Sequence, residues 1–291
     1  MNKNAIVILV IAVSIFSLGL LLTRVNKQSF RIGEAQTEAG VAYNLQSALQ
    51  NPEAVYELDL TEARPVELPP SVGQLRNLRK LVIVNSEIKI LPLELFEIES
   101  LEVLNFMDSE LESLPPNVGK LKNLKELHLG GTNITELPDE ISTLTKLEVF
   151  DIMDLPIDSL PAGFSQMSSL KVLMFDETIF PSFPEEILSL INLEFLDISF
   201  TRMETVPQDI DRLSKLKDLR LRDSRLSTVP ESLGNLTMLE RLDLAYNEID
   251  GLPSSISNLT NLKELNLTEN PISQDEINRI KDMLPNTNVV H

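Results

Sequence analysis

A leucine-containing phrase recurs along this chain at a fixed interval of 23 residues. The pattern L-x-x-L-x-L begins at ten places without insertion or deletion between them. The ten starting residues are Val55, Leu78, Leu101, Leu124, Leu147, Leu170, Leu193, Leu216, Leu239 and Leu262. Fixed periods of about 20–50 residues are typical of stacked repeat architectures. The spacing therefore predicts one elongated domain in which each unit packs on its neighbours.

Each column of the repeat indicates a local structure. Apolar residues at positions 4 and 6 alternate as in a short strand with one buried face. Apolar residues at positions 14, 18 and 21 have helix-like spacing, which predicts a helical or 3₁₀ return segment. Proline at position 15 is tolerated at the start of such a segment. This proline column runs Pro69, Pro92, Pro115, Pro138, Pro161, Pro184, Pro207, Pro230 and Pro253.

The unit resembles the 23-residue leucine-rich repeat of bacterial proteins and of the Ras-suppressor and plant intracellular groups. Its full pattern, L-x-x-L-x-L-x-x-N-x-L-x-x-L-P-x-x-I-x-x-L-x-x, covers about residues 43–290. The resemblance implies an α/β repeat solenoid: a leucine-rich-repeat horseshoe with a parallel concave sheet and short helical or 3₁₀ convex segments. We expect ten units over residues 55–272, an N-terminal helical cap over 41–54, and a C-terminal helix with an edge strand over 273–291.

Position 9 departs from the family pattern, which places asparagine there to bond the turn backbone. Most units carry serine or threonine instead, and only Asn247 and Asn270 match. Hydroxyls can replace part of an asparagine ladder, but the leucine at this position in one unit, Leu155, cannot. We therefore expect a locally altered turn at Leu155, assisted by Pro156.

The N-terminal segment, residues 1–22, contains an uncharged apolar run over residues 5–22. As a helix this run would extend about 27 Å, close to the thickness of a bilayer core. We interpret it as a membrane anchor, with a cleaved signal peptide as the alternative. Residues 23–40 resemble a polar spacer. We expect a single-pass protein with an extracytoplasmic repeat domain, although the bases on the C-terminal flank favour a cytoplasmic-facing alternative.

Composition excludes several classes of function. The formal net charge of −19 opposes nucleic-acid binding and favours basic or cationic partners. The chain has no cysteine, so thiolate metal sites and cysteine nucleophiles are excluded. It has only two histidines and no phosphate-binding glycine motif, since Gly130-Gly131 is a loop-like pair at a strand end. We therefore predict a non-enzyme that needs no cofactor or metal.

The outward-pointing positions 3, 5, 7 and 8 supply the candidate binding surface. Apolar side chains gather there in the middle units, with acidic side chains around them and an arginine pair toward the C-terminal end. The candidate residues are Val82, Val84, Met107, His128, Asp151, Met153, Met174, Asp176, Phe195, Phe200, Arg220 and Arg222, with Val103, Val149 and Val172 alongside. Exposed apolar patches with charged rims usually mark partner surfaces.

Plainer interpretations of the same residues remain open. Valine in these columns suits any strand, and the arginines fit a solvated charge cluster. Five carboxylates at Asp108, Asp151, Asp154, Asp176 and Glu177 also permit a calcium site, although in an acidic solenoid a solvated face is the favoured interpretation.

These observations favour a membrane-tethered module that binds a protein or peptide, basic in character, along its concave face. Contact with the membrane would be through residues 5–22 only. The alternative is a structural or adhesive surface component that binds glycans or neighbouring cells.

Overall fold

The computed structural model describes residues 40–291, which form a single parallel sheet of twelve short strands stacked in chain order. The strands are β1 (Val41–Ala42), β2 (Glu57–Asp59), β3 (Lys80–Val82), β4 (Val103–Asn105), β5 (Glu126–His128), β6 (Val149–Asp151), β7 (Val172–Met174), β8 (Phe195–Asp197), β9 (Asp218–Arg220), β10 (Arg241–Asp243), β11 (Glu264–Asn266) and β12 (Asn288–Val290). This architecture confirms the predicted repeat solenoid with a parallel sheet.

The 23-residue period sets the register of the sheet directly. From β2 to β11 every residue pairs with the residue 23 positions later, as in Leu104 with Leu127 and Leu127 with Phe150. The strand side chains at position 4 are all buried, because they face the interior of the stack. The apolar column at position 6 is buried beside them, so the predicted alternation is confirmed.

Each return segment is a short 3₁₀ helix rather than a longer α-helix. In seven units the proline at position 15 lies just before this helix, and its carbonyl oxygen accepts the first turn's hydrogen bond. The eleven 3₁₀ helices within residues 40–291 are Pro52–Ala54, Thr61–Ala63, Pro70–Gln74, Leu93–Glu97, Pro116–Lys120, Asp139–Thr143, Phe164–Gln166, Glu185–Ser189, Ile210–Arg212, Glu231–Asn235 and Ser254–Asn258. The resulting stack buries an almost entirely aliphatic core, with two phenylalanine pairs in its central units.

Both ends of the stack add strands of their own. The segment 41–54 contains β1, the short helix α1 (Leu45–Ala48) and the first 3₁₀ helix. Asn44 caps α1 by accepting a hydrogen bond from the Ser47 N–H at 2.8 Å. At the other end, α2 (Gln274–Met283) buries Ile277 and Ile280, and β12 then pairs with β11. The terminal units thus cover apolar surface that would otherwise face water.

The turn after Leu155 does differ from its neighbours, and the cause is proline. Asp154 keeps the left-handed conformation and the cross-unit hydrogen bond of the other units. The difference lies in the next bonds: Pro156 has no N–H, and the Ile157 N–H donates to the Leu155 carbonyl at 2.8 Å. The same bond forms from Ile272 to Asn270 across Pro271. The altered turn therefore follows from proline at position 10, while Leu155 itself packs into the core.

An alternating charge ladder follows position 2 of the repeat along one side of the sheet. Glutamate and lysine alternate over eight successive units, and each lysine pairs with the glutamate of the preceding unit. The pairs are Lys125–Glu102, Lys171–Glu148, Lys217–Glu194 and Lys263–Glu240, at 2.6, 2.8, 2.7 and 2.6 Å. Because these pairs are largely exposed, each contributes only about 0–1 kcal/mol to stability.

The predicted membrane segment, residues 1–22, and the spacer up to residue 39 lie outside the described residues. Between residues 40 and 291, no helix is both long and apolar enough to cross a bilayer.

Candidate binding surface on the concave sheet

The central strands carry a closely packed layer of side chains on the sheet face that points away from the core. On β6, β7 and β8 all three residues of each strand are buried, whereas on β2 to β5 the outward side chains are half-exposed. Val149, Val172, Met174 and Phe195 are only 9, 5, 6 and 7% exposed. Neighbouring parallel strands lie about 4.8 Å apart, so large outward side chains cover one another laterally.

The apolar residues predicted from the sequence therefore do lie together, but the side chains at the centre of this patch bury one another. Met107, Met153 and Phe200 keep part of their surface exposed, as do Val82 and Val84. The accessible apolar surface consequently lies around the covered centre, at positions 7 and 8 and on the N-terminal strands.

His128 lies in this layer between two carboxylates. Its Nδ1 is 3.4 Å from Asp151 Oδ2, and its Nε2 is 3.5 Å from Glu126 Oε2. Burial alone would lower the pKa of His128, but the hydrogen bonds to Asp151 and Glu126 outweigh it and raise the pKa to about 9. The imidazole is thus already protonated at neutral pH, which does not suit a general base.

Carboxylates that lack a basic neighbour crowd the same region. Asp108, Asp154 and Glu177 are exposed, and each lies three residues after the end of β4, β6 and β7, respectively. The pKa of each is raised, first by partial burial. For Asp108, repulsion from Asp151 and Asp154 contributes further, and for Glu177, repulsion from Asp154. We call these three residues the acidic rim.

Asp176 is a further carboxylate of the concave face whose ionised form is unfavourable. Its Oδ1 is buried and has no hydrogen-bond partner among the described residues. Burial, then the charges of Asp197 and Asp151, raise the pKa of Asp176 well above its usual value. This carboxyl therefore resists ionisation where it lies.

The acidic rim occupies a column of left-handed turns, position 8 of the repeat, that sequence analysis did not identify. Nine successive units have a positive φ there, from Asn85 to Glu269, including Gly131 at 70°. Asn, Asp and Gly adopt this conformation most readily, and five of the nine residues are of these types. A column rich in Asn, Asp and Gly was the available signal. A Cβ atom at Gly131 would lie 2.6 Å from Asp108 Oδ1, so a larger residue there would have to displace the end of the Asp108 side chain.

Toward the C-terminal end, opposite charges are paired instead of crowded. Asp218, only 2% exposed, lies between Arg220 Nε at 3.3 Å and Arg241 Nε at 2.7 Å. Arg220 also approaches Asp197 at 3.6 Å and stacks over the Phe195 ring at 4.8 Å. The arginines here are therefore partly neutralised within the protein itself. The sequence analysis selected Arg220 but not Asp197 or Asp218.

Arg222 has a different environment from Arg220. Its guanidinium carbon lies 4.2 Å from the Tyr246 ring centroid and 5.9 Å from that of Phe200. Both rings come from position 8, with φ of 58° and 56°, a conformation that is uncommon for bulky residues. Tyr246 was missed in the sequence analysis, although it shares the column of Phe200. We call Phe200, Arg222 and Tyr246 the arginine sandwich.

The described residues do not support the calcium site that the sequence permitted. Within the part of the chain that is described, no three aspartate, glutamate or histidine side chains converge closely enough to hold a metal ion. The five carboxylates are spread along several strands and turns.

The fold and the outward-facing strand surface define a repeat protein of the solenoid class. A family model described as a leucine-rich repeat region matches residues 112–208 and 204–284, and the chain belongs to the leucine-rich-repeat family. No curated protein matches the chain.

Several solved structures share the fold. A TDR receptor is 24% identical, with 86% of this chain and 49% of that chain covered and a TM-score of 0.68. The leucine-rich-repeat ectodomain of the membrane receptor kinase GASSHO1/SCHENGEN3 from Arabidopsis thaliana, in complex with CASPARIAN STRIP INTEGRITY FACTOR 2, is 23% identical over 81% and 36%, with a TM-score of 0.55. The PEPR1–AtPEP1 complex is 24% identical over 71% and 37%, with a TM-score of 0.56.

This chain thus spans between about a third and a half of the length of those three structures. The leucine-rich-repeat fold is typical of protein- and peptide-binding modules, and the family is generally a non-enzymatic scaffold.

Proposed function

We propose that the chain is a non-enzymatic binding module that takes a basic protein or peptide segment along its concave strands, from β4 to β9. The observation that carries this proposal is the acidic rim. Asp108, Asp154 and Glu177 have no cationic partner within residues 40–291, whereas several lysines and an arginine elsewhere on the sheet are paired with acids.

The electrostatics of the rim favour a cation from outside. Partial burial raises the pKa of all three carboxylates and so disfavours their ionised form, and repulsion from neighbouring carboxylates adds to this for Asp108 and Glu177. A lysine or arginine placed between them would relieve that repulsion and gain a charge-assisted hydrogen bond. The body of the protein, at −19, would also attract such a partner at long range.

The neighbouring side chains suit an extended ligand. Met107 and Met153 lie directly before Asp108 and Asp154, and both are partly exposed. Methionine adapts to varied apolar surfaces, so these residues would contact the uncharged parts of the ligand. Three strand spacings separate β4 from β7, or about 14 Å, which an extended chain of about four or five residues would cross.

A displayed library of random twelve-residue peptides tests this proposal. The full chain is compared with the triple variant Asp108→Asn, Asp154→Asn, Glu177→Gln. The matched control is Asp139→Asn, Glu140→Gln, Glu185→Gln, which makes the same charge change on exposed convex positions. We expect the full chain and the control to enrich peptides rich in lysine and arginine.

The enriched peptides should bind the rim variant at least about tenfold more weakly, a difference of about 1.4 kcal/mol. Their affinity for the full chain should also fall as salt is raised, because the rim is exposed. If no peptide is enriched, or if both triple variants lose affinity equally, the proposal is wrong.

The proposal also includes a membrane tether through residues 5–22, with the repeat domain on the extracytoplasmic side. Its support is the uncharged apolar run of the sequence and the bases that flank it, Lys3 and Arg24. Protease added to intact cells should then digest the repeat domain while the protein fractionates with membranes. Protection of the repeat domain would instead indicate the cytoplasmic-facing topology.

A further inference from the structure

We infer that Arg222 recognises a carboxylate on the bound partner, so that the concave face accepts a ligand carrying both a basic and an acidic group. This inference rests on the proposed function and adds an anion-specific site to it. The site is the arginine sandwich of Phe200, Arg222 and Tyr246.

The two aromatic rings restrict how Arg222 can be approached. They lie toward its guanidinium at 5.9 and 4.2 Å, so a ligand that stacks on the cation would have to displace them. The edge of the group carries the N–H donors, which lie in one plane and match the two oxygens of a carboxylate. The arrangement therefore favours a planar, bidentate anion over an apolar or cationic group.

Arg222 also lacks the internal partners of its neighbours. Its Nε is buried and has no hydrogen-bond acceptor, and no acidic side chain within residues 40–291 forms an ion pair with it. Arg220 and Arg241, by contrast, both pair with Asp218.

The backbone that holds the sandwich supports a role beyond packing. Phe200 and Tyr246 occupy left-handed turns, where five of the other seven units with this conformation have asparagine, aspartate or glycine. Bulky residues adopt this conformation only at a cost in backbone strain. Tyr246 is 44% exposed, so burial of its ring offsets little of that cost. This conformation places the two aromatic rings beside the guanidinium of Arg222.

The sandwich and the acidic rim together set a spacing for the ligand. Glu177 follows β7 and Arg222 follows β9, which are two strand spacings apart, or about 10 Å. An extended chain covers that distance in about three residues. We therefore expect a basic residue over the rim and a carboxylate about three or four residues away, in one fixed direction.

Two random peptide libraries test the inference on the full chain. In the first, a fixed linker follows the random segment, so that only aspartate and glutamate side chains supply carboxylates. In the second, the random segment ends in a free carboxy terminus. Selection is repeated on Arg222→Gln and on the matched control Arg202→Gln, which removes the same charge from an exposed arginine outside the sandwich.

We expect the full chain and Arg202→Gln to select a carboxylate at the stated spacing from the basic residues, and Arg222→Gln to lose that preference while still selecting basic residues. A synthetic peptide from the selection should bind Arg222→Gln about tenfold more weakly, and its glutamine-substituted form should show no such difference. Arg222→Lys, which keeps the charge but not the planar fork, should lose an intermediate amount.

Enrichment in the first library identifies a side-chain carboxylate, and enrichment in the second alone identifies a chain terminus. Basic peptides selected without any acidic preference, or an equal loss with Arg202→Gln, would overturn the inference and leave the proposed function intact. The absence of any selected peptide would overturn both. The thermal midpoint of each variant is measured beside the parent, and if Arg222→Gln unfolds, Arg222→Lys alone decides.

Discussion

The two halves of the concave face contain similar residues but differ in how far their carboxylates are compensated by basic side chains. Around β5 to β7, the pKa values of Asp108, Asp176 and Glu177 rise because burial and repulsion are not compensated. Around β8 to β10, Asp197 and Asp218 lie beside arginines, although burial still raises the pKa of Asp197. The comparison indicates that internal ion pairs compensate buried charge in the second half more fully than in the first.

The largest expected effect is in the paired half. Asp218→Asn removes the shared partner of Arg220 and Arg241 and leaves two cations close together in a poorly hydrated place. Breaking a buried ion pair typically costs about 3–5 kcal/mol of unfolding free energy. Denaturant unfolding should show this loss, while Asp209→Asn, in an exposed pair with Arg212, should change stability by less than about 0.5 kcal/mol. Equal effects would contradict the comparison.

His128 is a cation inside the crowded half, and it should stabilise that half in a pH-dependent manner. Its folded pKa of about 9 lies above the unfolded value of about 6.5. Its contribution is therefore complete below about pH 6.5 and is lost as pH rises through 9. His128→Gln should cost about 2 kcal/mol at pH 6 and much less at pH 9.5. A cost independent of pH would show that the imidazole acts by packing alone.

Replacing a carboxylate of the crowded half should have the opposite sign. The raised pKa of Asp176 means that its charge destabilises the fold at any pH above the unfolded value of about 3.8. Asp176→Asn should therefore increase the thermal stability at pH 8, by about 1 kcal/mol. The gain should shrink as pH falls below about 3.8, where the wild-type carboxyl becomes protonated in both states. A loss of stability at pH 8 would show that the carboxylate has a compensating partner.

The smallest effect on stability is expected at the acidic rim. Asp154 is exposed, so Asp154→Asn should change the free energy of unfolding by less than about 0.5 kcal/mol. If the rim is a binding element, the same substitution should reduce the affinity for basic peptides measurably. A larger effect on stability than on peptide affinity would assign Asp154 to the scaffold.

Much of the fold could be predicted because the repeat constrains it ten times over. Register, buried columns and 3₁₀ return segments all follow from a fixed spacing of Leu, Ile and Pro. The altered turn at Leu155 was anticipated as well, but attributed chiefly to the missing asparagine. The structure assigns it to Pro156, whose missing N–H is a backbone property rather than a side-chain one.

The binding surface was harder to predict because it depends on contacts between units. The sequence gathers Val149, Val172, Met174 and Phe195 into one patch, but it does not show that they bury each other laterally. Each repeat position considered alone also did not reveal Tyr246, because its ring contacts Arg222, which lies at another position of the preceding unit. Contacts between side chains at different repeat positions in neighbouring units cannot be deduced from the repeat pattern alone.

The charge ladder at position 2 has a consequence for how this array can change in length. Its glutamate–lysine alternation makes the effective building block two units long, although the leucine pattern has a period of one. Deleting a single interior unit would place two glutamates or two lysines on adjacent strands, whereas deleting two consecutive units restores the alternation. Shortened or extended forms of this protein should therefore be tolerated best when units are removed or added in pairs, because glutamate and lysine then still alternate along the sheet.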